Sequence, residues 1–245
     1  MSILSRIKYF IKNSNKKNQE LNNHSKKSDD VYSMAILQPL LEDLPYLPFN
    51  GGALRPVCIT YILNEIIINQ RKMILEFGSG LSTLLMARLI KRNNIKAKIY
   101  SVEHNQLWAT IIEDYLKKEN LLEFVTIIRA DLKEISTSSF GDLKWYDLNE
   151  LSSVINNEKF DLIIVDGPPA NTEMLKFSRF PAFEYLSNNF ANDFCLLLDD
   201  ANREGEKEII KLYRNKNKEI YFSVVSSTLA VFRTSNGFNP IPIHY

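Results

Sequence analysis

Acidic residues recur in this chain directly after short apolar runs. Glu76 lies in Ile74-Leu75-Glu76-Phe77-Gly78-Ser79-Gly80-Leu81-Ser82-Thr83, and Glu103 with His104 follows Ser101-Val102. Asp131 follows Ile127-Ile128-Arg129-Ala130, Asp166 opens Asp166-Gly167-Pro168-Pro169 after Ile164-Val165, and Asp199-Asp200 follows Leu196-Leu197-Leu198. Carboxylates accept hydrogen bonds from ligand hydroxyls, take protons as general bases, or ligate hard cations. The Gly78-Ser79-Gly80 turn lets backbone approach a ligand closely, and Ser82 or Thr83 can cap a helix whose free amides then face an anionic group. An ordinary strand-to-helix turn would also carry two glycines. Glu103 comes 23 residues after Gly80, near the ~20-residue spacing of an acid that binds a ribose.

These residues need a scaffold that brings strand ends together. Apolar runs at Met73–Phe77, Lys98–Val102, Val125–Ile128, Phe160–Val165 and Phe194–Leu198 alternate with amphipathic stretches near 81–93, 105–119, 148–157, 174–190 and 204–215. A further helix is expected over 54–70. Runs apolar on both faces, separated by helices, predict a doubly wound, mostly parallel α/β sheet covered on both sides. Ile220–Val225 and Leu229–Arg233 are joined by Ser226, Ser227 and Thr228 alone. So short a link permits a hairpin and no crossover, so the sheet should finish with an antiparallel strand. The acids then converge on one crevice at the C-terminal strand ends, where such sheets bind ligands.

The 245 residues are 45% hydrophobic and formally +1, which excludes wholesale disorder and a polyanion binder acting by charge alone. Cys58 and Cys195 form neither a disulfide framework nor a zinc pattern. No apolar run reaches membrane-spanning length and no secretory leader is evident, so a cytoplasmic protein is expected. Residues 1–28 hold seven basic side chains against Glu20 alone, leaving the rest of the chain at −5. Residues 1–45 are expected to be a basic, largely disordered arm, with 46–245 as the catalytic domain. Met1, Ile3, Leu4, Ile7, Phe10 and Ile11 have the spacing of a short amphipathic helix, which would touch a membrane surface weakly or remain a solvated leader.

The motifs E-F-G-S-G-L-S-T at 76–83, V-E-H at 102–104, A-D at 130–131 and V-D-G-P-P at 165–169 resemble those of class I S-adenosylmethionine-dependent methyltransferases. The alternation from about 54 to 233 is similar to that family's seven-stranded sheet. Ser178–Ala182 (S-R-F-P-A) and Leu198–Arg203 (L-D-D-A-N-R) resemble bacterial O-methyltransferases acting on small molecules and glycans. The resemblance implies S-adenosyl-L-methionine as cofactor. Glu76, Gly78, Ser79 and Gly80 would line its methionine part, and Ser82 and Thr83 would help hold its carboxylate. Glu103 would bind the ribose, His104 would flank the adenine, Asp131 would face the adenine amino group, and Asp166 would sit beside the methyl donor. Ser82 departs from the family, where a third glycine is common.

Methyl transfer to a hydroxyl needs an in-line acceptor and loss of its proton. Asp166 or Asp199 could take that proton. Asp166, Asp199 and Asp200 also form an oxygen-ligand set for Mg²⁺ or Ca²⁺, in partial resemblance to the catechol O-methyltransferases; in the alternative reading Asp200 caps the helix from Asn202 or pairs with Arg203 or Arg179, and the site is metal-free. A small-molecule or glycan acceptor is expected and nucleic acid is not, given the acidic body. The stretch Ser136–Glu150, with Phe140, Trp145 and Tyr146, is expected to be a long loop serving as an acceptor lid or a local cluster. Pro48–Pro56 could roof the site. Two other readings share the crevice. A nucleotide-cofactor oxidoreductase would use Glu103 but needs a third glycine where Thr83 stands. A catalytically inactive binding protein would have no need of an intact turn and Glu103.

Overall fold

The computed structural model describes residues 26–46 and 49–242. The expected N-terminal amphipathic helix, residues 13–25 of the arm, and His244 lie outside them. The elements are α1 (26–41), α2 (Pro56–Ile68), β1 (Met73–Phe77), α3 (Leu81–Arg92), β2 (Lys98–Glu103), α4 (Gln106–Lys118), β3 (Val125–Arg129), β4 (Leu132–Thr137) and β5 (Gly141–Tyr146). They continue with α5 (Leu148–Ile155), β6 (Phe160–Val165), α6 (Pro181–Tyr185), β7 (Phe190–Leu198), α7 (Glu204–Lys216), β8 (Tyr221–Val225) and β9 (Leu229–Arg233).

Seven strands form one sheet in the order β3-β2-β1-β6-β7-β9-β8. The first five pair in parallel; β9 runs antiparallel to both β7 and β8. This is the doubly wound sheet with a terminal hairpin that the apolar runs predict. The order reverses between β1 and β6, and the crevice opens there.

Alternation along each strand explains the two covered faces. Ile74, Ile99, Leu162, Ile164, Cys195 and Leu197 pack with α2, α3 and α4 on one side. Their neighbours Leu75, Val102, Ile163, Val165, Leu196 and Leu198 pack with α5, α6 and α7 on the other. Successive strand side chains point to opposite faces, so a strand buried on both sides must be apolar throughout.

The structure differs from expectation in three places. The domain begins before residue 46. Residues 26–41 are helical, and Leu37 and Leu40 join the first core cluster. Arg88 Nη1 donates to the carbonyls of Leu40 and Glu42 at 2.7 and 2.8 Å, and Arg55 Nε pairs with Asp30 Oδ2 at 3.1 Å. The low hydropathy around Lys26 and Lys27 hides this docking, because only one stripe of the helix is apolar.

Ser136–Glu150 is not a long loop. Leu132–Thr137 and Gly141–Tyr146 form an antiparallel hairpin that is a separate two-stranded sheet. Trp145 and Tyr146 are buried in the second core cluster, with ring centroids 5.5 and 5.4 Å from Phe77. They form a floor under the sheet edge instead of an exposed lid.

The helix expected over 174–190 is reduced to turns, the short α6 and one 3₁₀ turn at Ser187–Asn189. Pro181 has no N–H to continue a helix from the preceding turn, so it can only start one.

Candidate active site

The β1–α3 turn is shaped by its own side chains. Gly78 has φ +96°, a left-handed conformation that L side chains rarely adopt. Glu76 is fully buried beneath the turn. It accepts hydrogen bonds from Ser82 Oγ at 2.5 Å, Thr83 Oγ1 at 2.5 Å and Ser101 Oγ at 2.7 Å. Burial pushes its pKa up, and the three hydroxyls oppose that shift. Thr83 Oγ1 also accepts the Gly80 amide at 2.9 Å. Glu76 and Thr83 therefore brace the turn from behind.

Glu103 ends β2 beside that turn. Its Oε2 accepts the Ser79 amide at 3.2 Å, and its Oε1 accepts the Asn105 amide at 2.7 Å. His104 Nδ1 lies 3.1 Å from Oε1. Asn105 Oδ1 caps α4 through the Trp108 amide, and Trp108 Nε1 donates to the Ser79 carbonyl at 2.7 Å. The start of α4 is thereby fixed to the glycine turn.

Across the switch point, Asp166-Gly167-Pro168 packs on Gly78. A Cβ at Gly167 would collide with the Tyr146 hydroxyl and meet Gly78 N at 3.1 Å, so only glycine fits where these three segments meet. Asp166 is held well above the usual carboxylate range, by burial first and then by Asp199. The Asp199 carboxyl is pushed up to about 6, by burial and then by Asp200. Ligand atoms of Asp166, Asp199 and Asp200 all lie within 4.8 Å of one another. Arg179, only 4% exposed, donates to Asp200 Oδ2 at 3.1 Å and to Asp166 Oδ1 at 3.4 Å.

Together these groups surround a cavity of about 860 Å³. Its lining includes Gly78, Ser79, Gly80, Ser82, Glu103, His104, Asp166, Asp199 and Asp200, all expected from the sequence. Asn50 to Arg55 form one wall, as the Pro48–Pro56 segment was expected to. Such a volume lies in the upper part of the usual range for small-molecule sites.

A family model described as a methyltransferase domain matches residues 75–201, just over half of the chain, from β1 to the turn after β7. The chain belongs to this methyltransferase family. No curated protein sequence matches it. Among solved structures, it is similar to an O-methyltransferase from Bacillus cereus in complex with S-adenosylhomocysteine. That pair is 17% identical, with TM-score 0.55, over 85% of this chain and 91% of the other. It is also similar to a Podospora anserina methyltransferase bound to the same molecule, at 13% identity and TM-score 0.59, over 89% and 97%. A third is an O-methyltransferase from Streptomyces achromogenes involved in tomaymycin synthesis, in complex with S-adenosylmethionine, at 11% identity and TM-score 0.51, over 83% and 90%. At these identities the likeness is one of fold.

Within this methyltransferase, three expected site residues stand apart from the cavity. Glu76 and Thr83 lie behind the turn. Asp131 is exposed, where its Oδ1 accepts from Gln106 Nε2 at 3.0 Å, and it does not line the cavity. Trp108 lines it without having been expected from the sequence, and Tyr146 lines it from the stretch that was. The N-terminal turn of the helix after β2 must face the crevice edge, so Trp108 could have been found from its position. Tyr146 lies in the stretch expected to contact an acceptor, but it reaches the cavity from the β4–β5 hairpin and not from a loop. Among the described residues no helix is long and apolar enough to cross a membrane.

Proposed function

We propose that the protein transfers a methyl group from S-adenosylmethionine to a hydroxyl of a small molecule or glycan. The observation that carries this reading is Glu103 hydrogen-bonded to the Ser79 amide at the mouth of the cavity. It joins a ribose-binding acid to a glycine turn at the switch point. Both Glu103 oxygens already accept one amide, and a carboxylate has about four acceptor sites, so capacity remains for two ribose hydroxyls. Gly78, Ser79, Gly80 and Ser82 would flank the amino-acid part of the cofactor. Trp108 and His104 offer ring surfaces for the adenine.

The chemistry is a direct displacement. The sulfonium–methyl bond breaks as the oxygen–methyl bond forms, the proton leaves the acceptor hydroxyl, and S-adenosylhomocysteine departs. Asp166 would stand beside the methyl donor, and Asp199 would take the proton. A carboxylate with a pKa raised toward neutrality is ionised at physiological pH yet basic enough to assist. Support for oxygen as the acceptor atom comes from these buried carboxylates and from the O-methyltransferases of like fold. The same three carboxylates have the donor chemistry of a Mg²⁺ or Ca²⁺ site, but Arg179 already bonds two of them.

Calorimetry with S-adenosylhomocysteine tests the cofactor, and labelled methyl transfer to a panel of phenols, sugars and glycans tests the acceptor. Binding of a nicotinamide dinucleotide without binding of S-adenosylhomocysteine would sink the proposal. Cofactor binding with no transfer to any hydroxyl would confine the protein to a binding role.

A further inference from the structure

Arg179 is placed by the irregular segment that replaces the expected helix before Pro181. Its guanidinium is fixed from three sides by main-chain carbonyls. Nη2 donates to Asp166 O at 2.9 Å, Nη1 to Asp199 O at 3.1 Å, and Nε to Pro168 O at 3.4 Å. It thus ties the end of β6 to the end of β7. The same group bonds the Asp166 and Asp200 side chains, and Arg203 Nη1 reaches Asp200 Oδ2 at 2.8 Å. Glu206 Oε1 lies 3.8 Å from Arg179 Nη1.

A hard divalent cation needs six or more oxygen ligands in a shell of its own. Here two of the three candidate carboxylates are already bonded to a guanidinium that the backbone anchors. A cation placed among them would have to displace this buried group or remain beside it, and at such separations like charges repel strongly. Asp166, Asp199, Asp200 and Glu206 with the two arginines sum formally to −2, against −4 for the carboxylates alone. A guanidinium cannot lose its proton and presents its donors in a rigid fork, so it supplies its charge at a fixed place.

We propose that Arg179 is the built-in cation of this site, standing where a divalent metal would otherwise hold Asp166 and Asp200, and that methyl transfer proceeds without added metal. The inference rests on the methyltransferase reading of the cavity. Arg179 acts as a positioning residue: it neutralises and orients the strand-end carboxylates and leaves Asp199 as the acid bound to neither arginine.

The test uses the full chain, freed of metal on a chelating resin. Mn²⁺ is titrated while the free ion is followed by electron paramagnetic resonance, and S-adenosylhomocysteine is titrated calorimetrically with and without chelator. The wild type should retain no Mn²⁺, and its affinity for S-adenosylhomocysteine should be unchanged by chelator. Arg179→Gln removes one positive charge from the carboxylates and should bind Mn²⁺ at least ~10-fold more tightly than the wild type. Arg179→Lys should fall between. Should Arg179→Gln fail to fold, the wild-type titration decides by itself. Stoichiometric Mn²⁺ binding by the wild type, lost in Asp200→Asn, would overturn the proposal. Loss of S-adenosylhomocysteine binding would instead count against the methyltransferase reading, because the Mn²⁺ titration does not involve the cofactor.

Discussion

The backbone amide of Ser79 donates to Glu103 Oε2 at 3.2 Å, across 24 positions of sequence. One buried carboxylate therefore both fixes the glycine turn and faces the cavity. Glu103→Ala should weaken S-adenosylhomocysteine binding about 10- to 100-fold, corresponding to the roughly 1.5–3 kcal/mol of a hydrogen bond to a charged group. It should also lower the melting temperature modestly, since two amides lose their acceptor. Calorimetry and thermal denaturation read the two effects separately. Unchanged affinity would remove Glu103 from the cofactor site.

Gly80 offers a cleaner probe. A Cβ built there meets no protein atom within 4 Å, although Gly80 lines the cavity. Its φ of −177° is extended backbone open to any residue. Gly80→Ala should therefore leave stability within ~0.5 kcal/mol of wild type, like other substitutions that disturb no packing. Affinity for S-adenosylhomocysteine should fall, because the methyl would stand where the ligand approaches the turn. Equal affinity in the variant would show that the cofactor does not come close to Gly80.

Asp199 links activity to stability through pH. Its carboxyl is pushed up from 3.8 to about 6 by burial and by Asp200, against the pull of Arg179 and Arg203, with Asp166 facing it. The folded state holds this proton more tightly than the unfolded chain does. Its stabilising contribution is thus fully present below pH about 4 and is lost as pH rises through about 6. Asp199→Asn removes that loss and should raise the melting temperature at pH 8, by the equivalent of about 1–3 kcal/mol. Methyl transfer by the wild type should rise across the same interval as the base ionises, and the variant should lose it. A variant that is active and no more stable at pH 8 would exclude Asp199 as the base.

The docked α1 predicts a further cost. Leu37 is 1% exposed and packs in the core cluster shared with α2 and α3. Leu37→Ala should destabilise the fold by about 2–5 kcal/mol, the usual range for a buried leucine. For a chain of this size that is a fall of roughly 4–20 °C in melting temperature. Deleting residues 1–41 should cost at least as much, because it also removes Asp30 from Arg55. An unchanged melting temperature in either case would mean that α1 does not dock.

Which features were legible in the chain follows from how far each signal reaches. Apolar runs on both faces, helical periodicity and the three-residue link at Ser226–Thr228 are local, and local steric and hydrophobic rules turn them directly into a parallel sheet with a final hairpin. Gly78, Glu103, Asp166 and Asp199 were also legible, because the fold carries every residue at a C-terminal strand end to the same edge. Tertiary structure decided the rest. Glu76 turned away from the cavity because three hydroxyls, one of them from β2, converge on it under the turn. Leu37 and Leu40 became core because α1 lays its apolar stripe in the cluster that α2 and α3 form. Arg179 became the partner of Asp166 and Asp200 because the chain between β6 and β7 folds back over both strand ends. Sequence spacing sets which face of an element a side chain occupies; which distant group meets it there depends on the path of the chain between them.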